Sequence, residues 1–128
     1  LGEYSNWLQR ANTTFAPVHS KGFVSFHDAF HFWVDEFDLN QLDIVTSNPE
    51  KPVGTRHLLD VRKILASGEA SCLFVEPQFQ ARIVKKLHQG LMVKVVKIDP
   101  MASTFDVDKR NFLGFYDDLL KQFMNCLN

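Results

Sequence analysis

The sequence predicts an α/β fold, a four-stranded parallel sheet flanked by helices on both faces. Two observations carry this. Short apolar, β-rich runs alternate with segments whose apolar residues recur at helical spacing. The strand-like runs are close to continuously apolar, as expected of strands covered on both sides rather than one.

The elements follow in order. Residues 3–15 place Trp7, Leu8, Ala11 and Phe15 on one helical face, and Pro17 and Gly22 then punctuate the chain. Phe23-Val24-Ser25-Phe26 reads as the first strand, and residues 28–37 as a helix with Asp28 in its first turn, where a carboxylate suits the positive dipole end. Leu42–Val45 is the second strand, and residues 48–54 form a turn-rich loop. Residues 55–66 form a helix, with Thr55 at its N-cap and Gly68 just past its end. Leu73-Phe74-Val75 is the third strand. Pro77 opens a helix over 77–88 that Gly90 follows, residues 92–98 are the fourth strand, and 110–126 close the chain as a long helix with Phe112, Phe115, Leu119, Leu120 and Phe123 on its apolar side.

Composition narrows the function classes. A chain of 128 residues with 45% hydrophobic and 23% charged residues fits one globular domain with its own core. The formal net charge is −1, with no basic stripe, which argues against a nucleic-acid partner. The apolar runs are too short to span a membrane. The chain starts at Leu1 without a recognisable signal peptide, which reads as a processed or truncated product. Two cysteines, Cys72 and Cys126, are too few for a disulfide scaffold or a zinc-finger pattern, and two buried thiols account for them equally well at this level.

In open parallel sheets, ligands bind beyond the carboxyl ends of the strands. The first strand is followed by His27, the second by Thr46, Ser47 and Asn48, the third by Glu76 and the fourth by Asp99. Three of four strand ends therefore offer a metal-binding side chain on one edge. Imidazole with carboxylate suits zinc, whereas carboxylates alone favour manganese or magnesium. Tight zinc sites take three or four ligands, so this chain supplies about half a site. Each residue also has a plainer role. His27 can cap a helix, Asp99-Pro100 can be a turn, and Glu76 can sit at the start of the helix that Pro77 opens. His31 follows His27 at i+4, a spacing that can pinch a metal on one helix; it equally suits a ring packed beside Phe30 and Trp33. His19, His57 and His88 read as solvated or capping residues.

Four motifs occur together and in order. Lys21–Phe30, containing His27-Asp28-Ala29-Phe30, resembles the segment of the cluster A-I metal-binding receptors in which a C-lobe histidine binds zinc. Asn48-Pro49-Glu50 resembles the loop after their second strand. Cys72–Phe79, with its Glu-Pro-Gln-Phe tetrapeptide, resembles the zinc-uptake branch, and Ile98-Asp99-Pro100-Met101 resembles the stretch carrying the second acidic position. The resemblance covers essentially the whole chain. It implies the C-terminal lobe of a two-lobe periplasmic zinc-binding protein serving a bacterial zinc ABC transporter. Residues 1–16 would then be the distal part of the interlobe helix, and 17–128 the metal-binding lobe.

The resemblance further implies that Zn2+ is bound between lobes by His27 and Asp99, with Asp99 either a direct ligand or one hydrogen bond removed. Glu76, Gln78 and His31 are the candidates for supporting the ligands at the cleft, the plainer reading of Glu76 and Gln78 being helix N-terminal chemistry around Pro77. A missing N-terminal lobe contributes two more histidines, and a membrane permease receives the metal. Relatives with both cysteines join them, which implies a Cys72–Cys126 disulfide in the oxidising periplasm. Manganese-selective relatives place Glu where His27 stands. One departure is His31, at a position where relatives usually have Gly. The alternatives are a manganese or other divalent-metal receptor, a lobe that dimerises to complete its site, or a zinc-dependent hydrolase using His27, Glu76 and Asp99. The chain contains no HExxH motif and no Ser/Cys–His arrangement, so no enzyme is expected.

Overall fold

A computed structural model describes residues 2–48, 50–77, 81–98 and 112–128. The elements are α1 (Gly2–Phe15), a 3-10 turn (Ala16–Val18), β1 (Gly22–His27), α2 (His31–Phe37), β2 (Asn40–Thr46), α3 (Thr55–Ala66), β3 (Ala70–Val75), α4 (Ala81–His88), β4 (Lys94–Lys97) and α5 (Phe112–Leu127). The four strands form one all-parallel sheet in the order β2-β1-β3-β4, as the alternating pattern predicts.

Each strand sends alternate side chains to opposite faces. From β1 and β3, Phe23, Cys72 and Phe74 join the helices α1, α2 and α5 in one core, with Trp7, Phe15, Phe37 and Phe123. Val24, Phe26, Leu73 and Val75 face α3 and α4, where Val61, Leu65 and Leu87 cover them. This two-sided burial is why the strands read as continuously apolar.

The first core is built largely of aromatic rings. Phe123 sits edge-on to Phe15, Phe23, Phe30 and Phe74 and stacks on Trp33, with centroids 4.8–6.0 Å apart. These are the offset and edge-to-face geometries that ring quadrupoles favour. Trp7 is fully buried, and its indole N–H donates to Asp117 Oδ1 at 2.7 Å, which fastens α1 to α5 without an orphaned donor. A disulfide joins Cys72 on β3 to Cys126 on α5, with Cα atoms 5.7 Å apart.

Several boundaries differ from the sequence reading, each for a local reason. The helix expected over 28–37 starts at His31: the Ala29 N–H bonds back to the His27 carbonyl at 2.9 Å, so residues 28–30 turn out of the strand and Asp28 lies outside the helix. Its C-terminal cap is Asp38, in the left-handed region at φ 52°, with its N–H returned to the Val34 carbonyl. In α3 the cap position belongs to Gly54, and Thr55 is the first helical residue. Gly68 and Gly90 do follow α3 and α4 with φ of 87° and 79°, a conformation that side chains resist. The fourth strand is shorter than expected, Lys94–Lys97, although the Ile98 N–H still bonds to the Val75 carbonyl at 2.7 Å.

Candidate metal centre

The strand order places a crevice. From β1 the chain passes through α2 to β2 on one side, and from β3 through α4 to β4 on the other. The connections leaving β1 and β3 thus diverge between two neighbouring strands, and the two helices lie on opposite faces of the sheet. Such a switch point opens a ligand crevice at the carboxyl ends of those two strands.

His27 is the last residue of β1, and Glu76 directly follows the last residue of β3. Val24 lies beside Leu73 and Ser25 beside Phe74, a register that brings His27 opposite Glu76 on the face shared by Phe23 and Phe74. The side chains meet there: His27 Nδ1 lies 3.4 Å from Glu76 Oε2. The Glu76 side chain is 5% exposed, whereas that of His27 is 28% exposed. A carboxylate facing Nδ1 favours the tautomer with its proton on that nitrogen, in which Nε2 is the lone-pair donor. Carboxylate–histidine pairs orient metal-binding imidazoles in this way. The distance is long for a hydrogen bond and falls within ion-pair range.

The remaining sequence candidates divide. Asp99 and Gln78 lie outside the described residues. His31 does not share a helix with His27: it is the first residue of α2 while His27 ends β1, so the i+4 pinch has no helix to act on. Nor is its ring packed beside Phe30 and Trp33 in the core. It is exposed, with its ring centroid 4.2 Å from that of Phe32. Among the described residues no group of three or more His, Cys, Asp or Glu gathers around a point that could hold a metal.

At the end of β2 the polar residues serve their own loop. Thr46 Oγ1 donates to the Asn48 carbonyl at 2.8 Å and accepts from the Asn48 N–H at 3.0 Å, while Asn48 Oδ1 accepts the Glu50 N–H. Those oxygens are engaged in holding the turn. His57 is not a simple solvated residue either. Its Nε2 lies 2.8 Å from the Ile44 carbonyl, and because a carbonyl only accepts, the proton sits on Nε2 and clips α3 to β2. His19 lies 4.0 Å from Asp38 Oδ2 at an exposed position. Two polar features escaped the sequence reading. Ser25, two residues before His27 on the same face, is fully buried with no hydrogen-bond partner among the described residues. Gln41 Nε2 reaches Asp28 Oδ1 at 3.4 Å. Neither carries a motif that marks it in advance.

Sequence comparison decides the family. The sequence model of the ZnuA family, described as zinc-uptake complex component A, periplasmic, matches residues 2–126. The chain belongs to the ZnuA family. Among its relatives, the high-affinity zinc uptake system protein ZnuA of Yersinia pestis is 34% identical over 115 residues, covering 90% of this chain and 36% of that protein. The corresponding protein of Haemophilus ducreyi is 32% identical over 110 residues, covering 86% of this chain and 36% of its own length. The chain thus spans about a third of the length of these ZnuA relatives.

Solved structures confirm the fold. The laminin-binding adhesin Lmb of Streptococcus agalactiae superimposes with a TM-score of 0.84 at 21% identity, over 99% of this chain and 48% of that one. A zinc-bound variant of AdcAII from Streptococcus pneumoniae gives 0.81 at 21% identity, over 99% of this chain and 46% of that one. A ZnuA crystal structure gives 0.79 at 16% identity, over 100% of this chain and 45% of that one. The chain spans about half the length of each.

Proposed function

We propose that this chain is the C-terminal lobe of a periplasmic zinc receptor and contributes His27 to a Zn2+ site shared with a second lobe. The observation that carries this reading is the His27–Glu76 pair at the switch point: an imidazole at the crevice, backed through Nδ1 by a buried carboxylate. On this reading His27 binds zinc through Nε2, and Glu76 orients it. Asp99, next in the chain after Ile98, supplies a carboxylate oxygen, directly or through a hydrogen bond to the bound metal's other ligands. Gln78 contributes hydrogen bonding at the same edge. Residues 1–16 are the distal part of the interlobe helix and 17–128 the lobe itself. The second lobe completes the coordination, since zinc takes four ligands and the described residues bring only His27 and Glu76 together here.

Zinc is cargo in this scheme, and the loaded receptor hands it to a membrane permease. The zinc-uptake names of the relatives support this, as does the fold shared with a zinc-bound neighbour. No step is catalytic. The test is calorimetric titration of the two-lobe receptor carrying this lobe. His27→Ala should abolish high-affinity zinc binding while leaving the circular dichroism spectrum intact. Unchanged affinity would sink the assignment.

A further inference from the structure

The formal charge of −1 conceals a strong segregation. Between Pro77 and Ile98 the chain contains Arg82, Lys85, Lys86, Lys94 and Lys97 and no Asp or Glu. The five cations come from α4 and the adjoining edge strand β4, and all five are exposed. Among the described residues none of them has a carboxylate within 4.0 Å. Lys85, Lys86 and Lys94 flank the link between the end of α4 and the start of β4, whereas Lys97 lies at the far end of β4, beside Val75.

Within it, Met92 is 101% exposed on the link between α4 and β4. Leu91 and Val93 on either side are half-buried against the second core, which fixes the link and holds Met92 outward. Arg62 adds to this by donating to the carbonyls of Lys86, Leu87 and Gln89 at 2.8–3.3 Å, which pins the end of α4 where the link begins. Lysines on an edge strand deter strand pairing, and cations suit a helix C-terminus. Those roles do not explain a fully exposed apolar side chain held beside cations that, among the described residues, have no carboxylate within 4.0 Å.

We propose that the α4–β4 edge is a contact surface for anionic phospholipid. Lys85, Lys86 and Lys94, at the end of α4 and the start of β4, meet lipid phosphates, and Met92 enters the headgroup layer. Basic residues near a charged bilayer each add attraction that salt screens, and an apolar side chain among them adds burial. Because the sheet is parallel, the start of β4 lies at the opposite end from His27. Lipid contact there would leave the metal crevice open.

The experiment is co-sedimentation of the full chain with vesicles of phosphatidylcholine alone or mixed equally with phosphatidylglycerol. Binding to the anionic vesicles only, released by molar salt, is expected. The double variant Lys85→Glu/Lys86→Glu should lower the partition coefficient by more than about tenfold, and Met92→Ser should lower it severalfold. Arg10→Glu, on the exposed side of α1, should leave it unchanged. Circular dichroism checks that each variant is folded. No binding of the unaltered chain to anionic vesicles overturns the proposal. So does an equal loss in Arg10→Glu, or retention on immobilised polyglutamate without vesicle binding, which would indicate an acidic protein partner instead.

Discussion

His27 Nδ1 stands 3.4 Å from Glu76 Oε2, across two neighbouring strands whose connections leave in opposite directions. The pair comes from positions far apart in the chain and is brought together by register alone. On the proposed function, the pair governs zinc affinity. In the complete receptor, Glu76→Gln keeps the volume and an acceptor for Nδ1–H but removes the charge, and should weaken zinc binding by about tenfold. Glu76→Leu removes the acceptor as well and should weaken it by up to about 100-fold, the range seen when such supporting partners are lost. Competition with a chelating dye measures both. Unaltered affinity in Glu76→Leu, with the fold intact, would show that His27 needs no orienting carboxylate.

His31 should be dispensable for zinc. Its ring is exposed beside Phe32 at the start of α2, with no helical turn shared with His27. His31→Gly, the residue usual at this position in the relatives the sequence resembles, should change zinc affinity by less than about twofold, within the ordinary small effect of a surface change. It will cost some helix stability at the N-terminus of α2, readable as a slightly lower melting temperature. A tenfold loss of zinc affinity in this variant would restore His31 to the site.

Why the sequence could reveal His27 but misplace His31 follows from what sequence patterns encode. Apolar runs and helical spacing report burial, so the alternation that builds the sheet, both cores and the order of elements was legible from Trp7 to Phe123. A residue at the end of a strand is placed by that same alternation, and His27 and Glu76 were found that way. Their pairing was not legible, because the neighbour relation of β1 and β3 depends on strand order, which no local pattern carries. The start of α2 was missed by three residues because the Ala29 N–H bonds to the His27 carbonyl, a backbone turn that Asp28 and Ala29 do not advertise. That shift removed Asp28 from the helix and broke the i+4 relation on which the His31 pinch rested. The Cys72–Cys126 link came from family resemblance, and the structure forms it.

Tyr116 offers a pH-dependent readout of how α1 seats on α5. Burial first, and the Tyr4 hydroxyl second, push its phenol above the ordinary value of 10.0. The rings lie 6.5 Å apart. A raised folded-state pKa means the neutral phenol is favoured in the fold. The associated stability is fully present below the ordinary tyrosine pKa and is lost as pH rises through the raised one. Alkaline difference spectroscopy should therefore show one phenol ionising late in the folded protein. Tyr4→Phe should bring that midpoint down only part of the way, since burial is the larger cause. Full return to the ordinary value would mean that Tyr4, not burial, governs it.

The disulfide ties α5 to the strand that leads into Glu76. Cys72 and Cys126 are both buried, 54 residues apart in sequence, and sit in the aromatic core with Phe74 and Phe123. Closing a loop of that length removes chain entropy from the unfolded state worth about 4 kcal/mol. Urea unfolding with and without reductant should show a stability difference of about that size, with reduction slow until the core opens, because neither sulfur is exposed in the fold. Zinc affinity of the complete receptor should fall far less than stability below the unfolding transition, since the His27–Glu76 register is held by the β1–β3 ladder rather than by the covalent link. Coincident unfolding curves in the two conditions would remove the disulfide from the list of stabilising contacts. Two titratable thiols in the denatured, unreduced protein would remove the bond itself.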